Sequence, residues 1–195
     1  MNADQIHMLT KNALRGDIKS LEALFDFLEK FNAPISKFAM YSILYQVIMN
    51  NFLNLGKYCE ECGGKCCKIG LPVPVYHFDY KELKARLSKD ELKNLRKHNG
   101  FYTLSRPCPF QDSWKCKIHE FKPYACMSYP FATEDEQKDI MERYKDGIPD
   151  FKVPDFCIAG KKVKEFMDEI VNKLRVKLGR DPTPREILNE VLTKF

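Results

Sequence analysis

The sequence predicts a mainly α protein: a helical scaffold around an irregular, cysteine-rich metal-binding core with a short β-hairpin. Three observations predict it. Apolar residues recur at three- and four-residue spacing towards both ends of the chain. The middle loses that period and fills with Cys, Gly, Lys and Pro. Seven of the eight cysteines fall between Cys59 and Cys126. A chain of 195 residues suits one domain, 1–195, with a cysteine-cluster core at 58–131 and helical flanks at 1–56 and 132–195.

The first flank reads as helix. Asp17 can cap a segment whose Leu21, Leu24, Phe25, Leu28 and Phe31 keep helical spacing. Pro34 is tolerated in a first turn and opens a longer helix towards Leu55. Its apolar face is Ile35, Phe38, Tyr41, Tyr45, Ile48, Phe52 and Leu55, and Gly56 is the expected stop. Residues Tyr58 to Pro74 read as a loop without helical period.

Asp79-Tyr80-Lys81-Glu82 and Ser88-Lys89-Asp90-Glu91 resemble capping boxes and predict two short helices, ending near Arg86 and His98. Tyr102 to Leu104 and Lys115 to Ile118 are the expected strands of the hairpin, flanking a turn at Gln111-Asp112-Ser113. The acidic run Glu134-Asp135-Glu136 suits a helix N-terminus. Val163, Phe166, Met167, Ile170, Val171, Leu174 and Leu178 then define a helix closed by Gly179. Thr183-Pro184-Arg185-Glu186 supplies cap, first-turn proline and capping-box acid for a last helix.

The compartment decides how to read the cysteines. The N-terminus shows no basic region followed by an apolar stretch, so no secretory signal is expected. The most apolar segment, Phe38 to Leu55, is interrupted by Ser42, Gln46, Asn50, Asn51 and Asn54, too polar for a span of ~20 apolar residues. A cytoplasmic location follows as the expectation. In a reducing cytosol, clustered cysteines more often hold a metal than form disulfides.

Cys59-x2-Cys62-x3-Cys66-Cys67 forms one knuckle, and Cys108, Cys116 and Cys126 follow in a second segment. Cysteines two residues apart can turn both sulfurs to one ion, and Gly63-Gly64 frees the backbone for such a turn. Neighbours such as Cys66 and Cys67 tend to diverge, which predicts different roles for the two. Seven thiolates serve either two zinc ions sharing a sulfur or one cluster with cysteines to spare. Lys57, Lys65, Lys68, Arg106, Lys115, Lys117 and Lys122 lie near the cysteines in sequence and would lower thiol pKa values. His119, three residues after Cys116, is an alternative ligand or an outer hydrogen-bond donor. Cys157 stands apart and reads as a small buried hydrophobe. His7 is expected to be exposed, while His77 and His98 show no partner in sequence.

The series Cys59-Glu-Glu-Cys-Gly-Gly-Lys-Cys-Cys67, Cys108-Pro-Phe, Cys116-Lys-Ile-His-Glu-Phe-Lys-Pro-Tyr-Ala-Cys126 and Tyr129-Pro130-Phe131 resembles the CxxCxxxCC (YkgJ-like) cysteine-cluster family. Its members are described as zinc- or iron-chelating. The resemblance covers about Tyr58 to Phe131. The family usually shows tyrosine where His119 stands and arginine where Lys122 stands. Flagellin lysine methylases carry a similar cluster, which would imply iron–sulfur-linked methyl transfer. This chain shows no cosubstrate motif to match.

The expected function is therefore metal binding, zinc or iron including a [4Fe–4S] cluster, through Cys59, Cys62, Cys66, Cys67, Cys108, Cys116 and Cys126. The reaction stays open. An iron–sulfur-dependent enzyme of methyl or electron transfer is one alternative. A nucleic-acid or protein adaptor using basic C-terminal helices is the other. The net charge of +5 does not demand a nucleic-acid partner, and none is expected. Leu178 to Ile187 is similar to a phrase in the helix-turn-helix region of sigma factors, but capping logic alone accounts for it. No membrane partner is expected. Phosphate-binding glycine loops, nucleophile elbows and HExxH helices are absent from the sequence.

Overall fold

The computed structural model describes residues 3–98, 100–132 and 134–194, apart from the side chains of Ala3, His98, Glu134 and Asp135. The expectations for the His98 side chain and for the Glu134 and Asp135 carboxylates fall outside the described residues. The chain is mainly helical with a small antiparallel sheet and a cysteine-rich region. No helix among the described residues is long and apolar enough to cross a membrane.

Three helices open the chain: α1 (Ala3–Leu14), α2 (Ile18–Glu29) and α3 (Pro34–Asn51). Asp17 caps α2, its carboxylate accepting from Ser20 N at 3.2 Å. Pro34 occupies the first turn of α3 as expected. Phe38 and every residue from Met40 to Met49 of α3 are buried, so this helix is the axis of the core rather than a one-faced amphipathic helix. It ends at Asn51, not at Leu55, and Gly56 lies inside the next helix.

Two short helices follow where a loop was expected: α4 (Leu55–Glu61) and α5 (Lys65–Lys68). Asn54 Oδ1 caps α4, accepting from Lys57 N at 3.2 Å. Neither helix buries a residue, so no apolar stripe announced them.

Next come β1 (Val73–Val75), α6 (His77–Arg86), α7 (Lys89–Leu92), β2 (Leu95–His98) and β3 (Phe101–Leu104). The three strands form an antiparallel sheet in the order β1-β3-β2. Val73 and Val75 are buried, while Pro74 sits on an edge strand. Leu95 faces Leu104 across the β2–β3 ladder. The expected helix to His98 therefore stops early, because Leu95-Arg96-Lys97-His98 has no apolar helical face and pairs with β3 instead. The Ser88 capping box is present, Ser88 N donating to Glu91 at 2.9 Å and Glu91 N to Ser88 Oγ at 3.2 Å. Asp79 is not an N-cap: α6 starts at His77, and Asp79 reaches back to accept from Tyr76 N at 3.3 Å.

The hairpin consists of β4 (Gln111–Asp112) and β5 (Lys115–Cys116), with Ser113 at φ 59° in its turn. Tyr102 to Leu104, expected as one of its strands, belongs to the three-stranded sheet instead. A 3₁₀ turn (His119–Phe121) leads into α8 (Tyr124–Ser128) and α9 (Glu134–Arg143). The last helices are α10 (Ile158–Leu178), ended by Gly179 at φ 68°, and α11 (Pro184–Leu192), capped by Thr183.

Two apolar clusters result. The larger one gathers α1, α2, α3, α10 and α11 with Met127, Phe131 and Phe151. The smaller one gathers Val73, Val75, Leu83, Leu95, Leu104, Phe110 and Ile118, with Cys108, Cys116 and Cys126 packed on it. Between them lies a buried ionic network. Lys11 Nζ on α1 donates to Asp79 at 2.6 Å and pairs with Glu82 at 2.8 Å, and Arg15 also holds Glu82 at 2.8 Å. Asp79 further accepts from Tyr124 N at 3.0 Å, which anchors the first turn of α8.

Candidate metal centre

Cys59 lies in the last turn of α4 and Cys62 is its C-cap, three residues on. Gly63 and Gly64 then adopt φ 66° and φ 61°, conformations that reverse the chain cheaply only for glycine. Gly64 N donates to Cys59 O at 2.9 Å and Cys67 N to Gly64 O at 3.0 Å. This turn places Cys66 and Cys67, on α5, beside the first pair.

The second segment docks on this knuckle. Cys108 N donates to Cys67 O at 2.8 Å, and Gln111 Nε2 donates to Gly64 O at 3.1 Å. Gly64 is pressed against the hairpin. A Cβ there would run into Gln111 Nε2 and stand 3.2 Å from the Trp114 carbonyl oxygen. Gly64→Ala should therefore lower stability by more than the ~1–2 kcal/mol of a left-handed alanine, measured by chemical denaturation. An effect below ~1 kcal/mol would mean that the hairpin does not close on the knuckle.

Electrostatics show which sulfurs are neighbours. Cys67 perturbs Cys59, Cys66, Cys108, Cys116 and Cys126, so all five thiols lie within its electrostatic reach. Cys59 also feels Cys62 and Cys157. Cys66 and Cys67 perturb one another electrostatically. The interaction of the two neighbouring thiols lowers Cys67 and raises Cys66. The Arg106 guanidinium and the Lys122 ammonium lower Cys67 further. Burial pushes Cys59 up to about 11 and Cys126 to about 12, and also raises Cys108 and Cys116. Cys67 is thus the thiol most readily ionised, while burial disfavours the charged form of Cys59, Cys108, Cys116 and Cys126.

Of the seven cations near the cysteines in sequence, Arg106 and Lys122 are half-buried against the sulfurs. Lys57, Lys65, Lys68, Lys115 and Lys117 are exposed. Arg106 Nε is buried without a hydrogen-bond partner. His119 is exposed on the 3₁₀ turn, and Lys122 holds its imidazole below the usual pKa. His7 is exposed as expected, stacked on Phe78 at 4.9 Å.

Cys157, expected as a small buried hydrophobe, is half-buried. It stands at the N-cap of α10, its sulfur accepting from Gly160 N at 3.4 Å, and it lies near enough to Cys62 and Cys59 to couple with both. No sequence spacing could place it there, since α9 and a long connection separate it from Cys126.

Among the described residues, no three or more His, Cys, Asp or Glu side chains are drawn together tightly enough to hold a metal ion as they stand. The chemistry of the donor set nevertheless fits a thiophilic ion: thiols from both segments, one of them with a lowered pKa, and two cations to offset added negative charge. A cleft of about 290 Å³ opens beside the sulfurs, lined by Cys66, Arg106, Tyr129, Leu71 and Phe156.

The cations of the C-terminal helices are largely paired. Lys173 holds Glu190 at 2.5 Å, Arg175 holds Asp181 at 2.6 Å, Arg180 holds Glu186 at 2.7 Å, and Arg185 holds Asp26 and Glu29 at 2.6 and 2.7 Å.

Residues 58–145, a little under half of the chain, match the family model CxxCxxCC, described as "Putative zinc- or iron-chelating domain". The resemblance read from the cysteine series is thereby shown, and the match supports metal binding by this segment. This chain has three residues, Gly63-Gly64-Lys65, before the Cys66–Cys67 pair, where the family's name counts two. No curated protein and no solved structure gives a significant match to the chain.

Proposed function

We propose that the chain binds a thiolate-ligated metal centre, zinc or an iron–sulfur cluster, centred on Cys67. Cys59, Cys62, Cys66, Cys108, Cys116 and Cys126 are the other ligands drawn from the sequence, and Cys157 is an eighth thiol on the Cys62 side. The observation that carries this reading is the meeting of two distant segments at the knuckle: Cys67 O accepts from Cys108 N at 2.8 Å, and Gly64 O accepts from Gln111 Nε2 at 3.1 Å. Lys122 and Arg106 favour the thiolate form of Cys67 and would offset the negative charge of a multi-thiolate centre.

The test is metal analysis and a visible spectrum of full-length protein purified without oxygen. Stoichiometric zinc in a colourless protein, or a broad absorption that bleaches on reduction with stoichiometric iron and sulfide, supports the reading and selects the metal. Protein that holds neither, and takes up neither on reconstitution, sinks it.

An enzymatic role is the second reading, favoured by the cleft between Cys66, Arg106 and Tyr129. There the Arg106 cation would bind a negatively charged group of a small substrate next to the sulfurs. The adaptor reading draws less support, because its basic C-terminal side chains are engaged in ion pairs.

A further inference from the structure

Helices α3 and α11 both begin at one cleft of about 510 Å³. Ala33, Pro34 and Ser36 line it from the first helix, and Thr183, Pro184 and Arg185 from the second. A helix N-terminus carries partial positive charge and first-turn N–H groups without intrahelical partners. Thr183 Oγ1 caps α11, accepting from Glu186 N at 3.2 Å, whereas Ala33 gives α3 no capping side chain. Pro34 and Pro184 have no N–H to offer. Ile35 N and Arg185 N remain, and neither makes a hydrogen bond to the described residues.

Ser36 is an independent sign of a ligand. The residue is only 8 % exposed and lines the cleft, yet its hydroxyl makes no hydrogen bond to the described residues. Nor is that oxygen sealed off. The fully enclosed side-chain atoms without a partner are Arg15 Nε, Gln46 Oε1 and Arg106 Nε. The Ser36 hydroxyl therefore opens on the cleft it lines. The charges in the wall leave one cation over. Lys37 pairs with Asp146, and Arg185 holds Glu29 at 2.7 Å. Arg185 also holds Asp26, outside the wall, at 2.6 Å. Lys145 is exposed and makes no ion pair with the described residues.

Water can fill such an opening, but the groups left over share one chemistry. Ser36 O–H and Lys145 in the wall, and Ile35 N–H and Arg185 N–H at the two helix ends, are all donors. Both helix ends add positive potential, and anions bind where such donors meet. We propose that this cleft binds the phosphate group of a small organic phosphate monoester. Its volume, about seventeen waters at ~30 Å³ each, exceeds that of a bare phosphate. Leu28 and Met40 supply apolar wall for the organic part. No cysteine lines this site, and it does not depend on the metal reading.

The test is a ¹H–¹⁵N NMR titration of the full chain with phenyl phosphate, with inorganic phosphate, and with sodium chloride at matched ionic strength. Phenyl phosphate is expected to give saturable shifts at the Ile35, Ser36 and Arg185 amides. Its affinity should stand about tenfold above that of inorganic phosphate, through partial burial of the ring. Ser36→Ala should weaken phenyl phosphate by about tenfold, the factor of one hydrogen bond to a charged group. Alanine suits a helix, and Ser36 makes no side-chain bond whose loss would unfold the chain. Lys145→Gln, at the exposed surface, should weaken it by about threefold. Shifts no larger than those with sodium chloride, equal affinities for the two phosphates, or parental affinity in Ser36→Ala overturn the proposal. The comparison of the three salts in the parent protein decides even if a variant does not fold.

Discussion

Cys67→Ser is expected to lower metal affinity by at least about a hundredfold and to release residues 57–72 from the fold. The first figure is a lower bound, since substitutions one step outside a metal's ligands already cost about 10–100-fold. Serine keeps the size but stays protonated at neutral pH, so it removes the thiol that ionises most readily and with it a soft ligand. The structural effect follows from burial. Helices α4 and α5 bury no residue, and Leu71 is 70 % exposed, so apolar packing contributes little to this stretch. Its order rests on a few backbone bonds and, on the proposed reading, on the metal. Hydrogen exchange should show amide protection lost between residues 57 and 72 and retained in α3 and α10. Chelator competition should give the affinity change. A Cys67→Ser protein that keeps parental affinity and protection would remove Cys67 from the centre.

Asp79→Ala is expected to lower the unfolding free energy by about 3–5 kcal/mol, the range for breaking a buried ionic pair from one side. Asp79 is 0 % exposed and Lys11 1 %. The carboxylate does more than meet the ammonium, since it also accepts from Tyr124 N and Tyr76 N, and both donors lose their partner in the variant. For that reason an apolar replacement of the pair, Lys11→Met with Asp79→Leu, should remain at least about 2 kcal/mol below the parent, where a simple buried pair would tolerate it. Burial outweighs Lys11 and sets the Asp79 pKa above the usual aspartate value. The sign of the pH dependence follows. A raised carboxyl contributes its full stability below the unfolded value of 3.8, and that contribution is lost as pH rises through the folded value. The difference between parent and Asp79→Ala should therefore shrink over that interval in urea unfolding. An Asp79→Ala protein within 1 kcal/mol of the parent would show the network to be incidental.

The helices that could be read from the sequence are those with caps and an apolar period. Asp17, Pro34, Gly179 and Thr183 mark their ends where the spacing of leucine, isoleucine and phenylalanine predicts them. The three-stranded sheet could not be read. One strand contains Pro74, another is Leu95-Arg96-Lys97-His98, and neither runs long enough to display alternation. The first two cysteines were legible as a pair, and Gly63-Gly64 as their turn. That the knuckle is pressed against the hairpin at Gly64 is a tertiary fact with no local signal. Cys157 reaches the group through the placement of α10.

The five residues of α8 serve both halves of the molecule. Met127 enters the larger apolar cluster and Ala125 and Cys126 the smaller, while the backbone at Tyr124 is tied to Asp79. A recombinant fragment cut to the cysteine stretch alone would therefore carry Met127 and Phe131 as bare apolar surface and would lack Lys11 opposite Asp79. The boundaries of the sequence motif are not the boundaries of a portable module, and grafting this centre onto another scaffold would have to bring α3 with it.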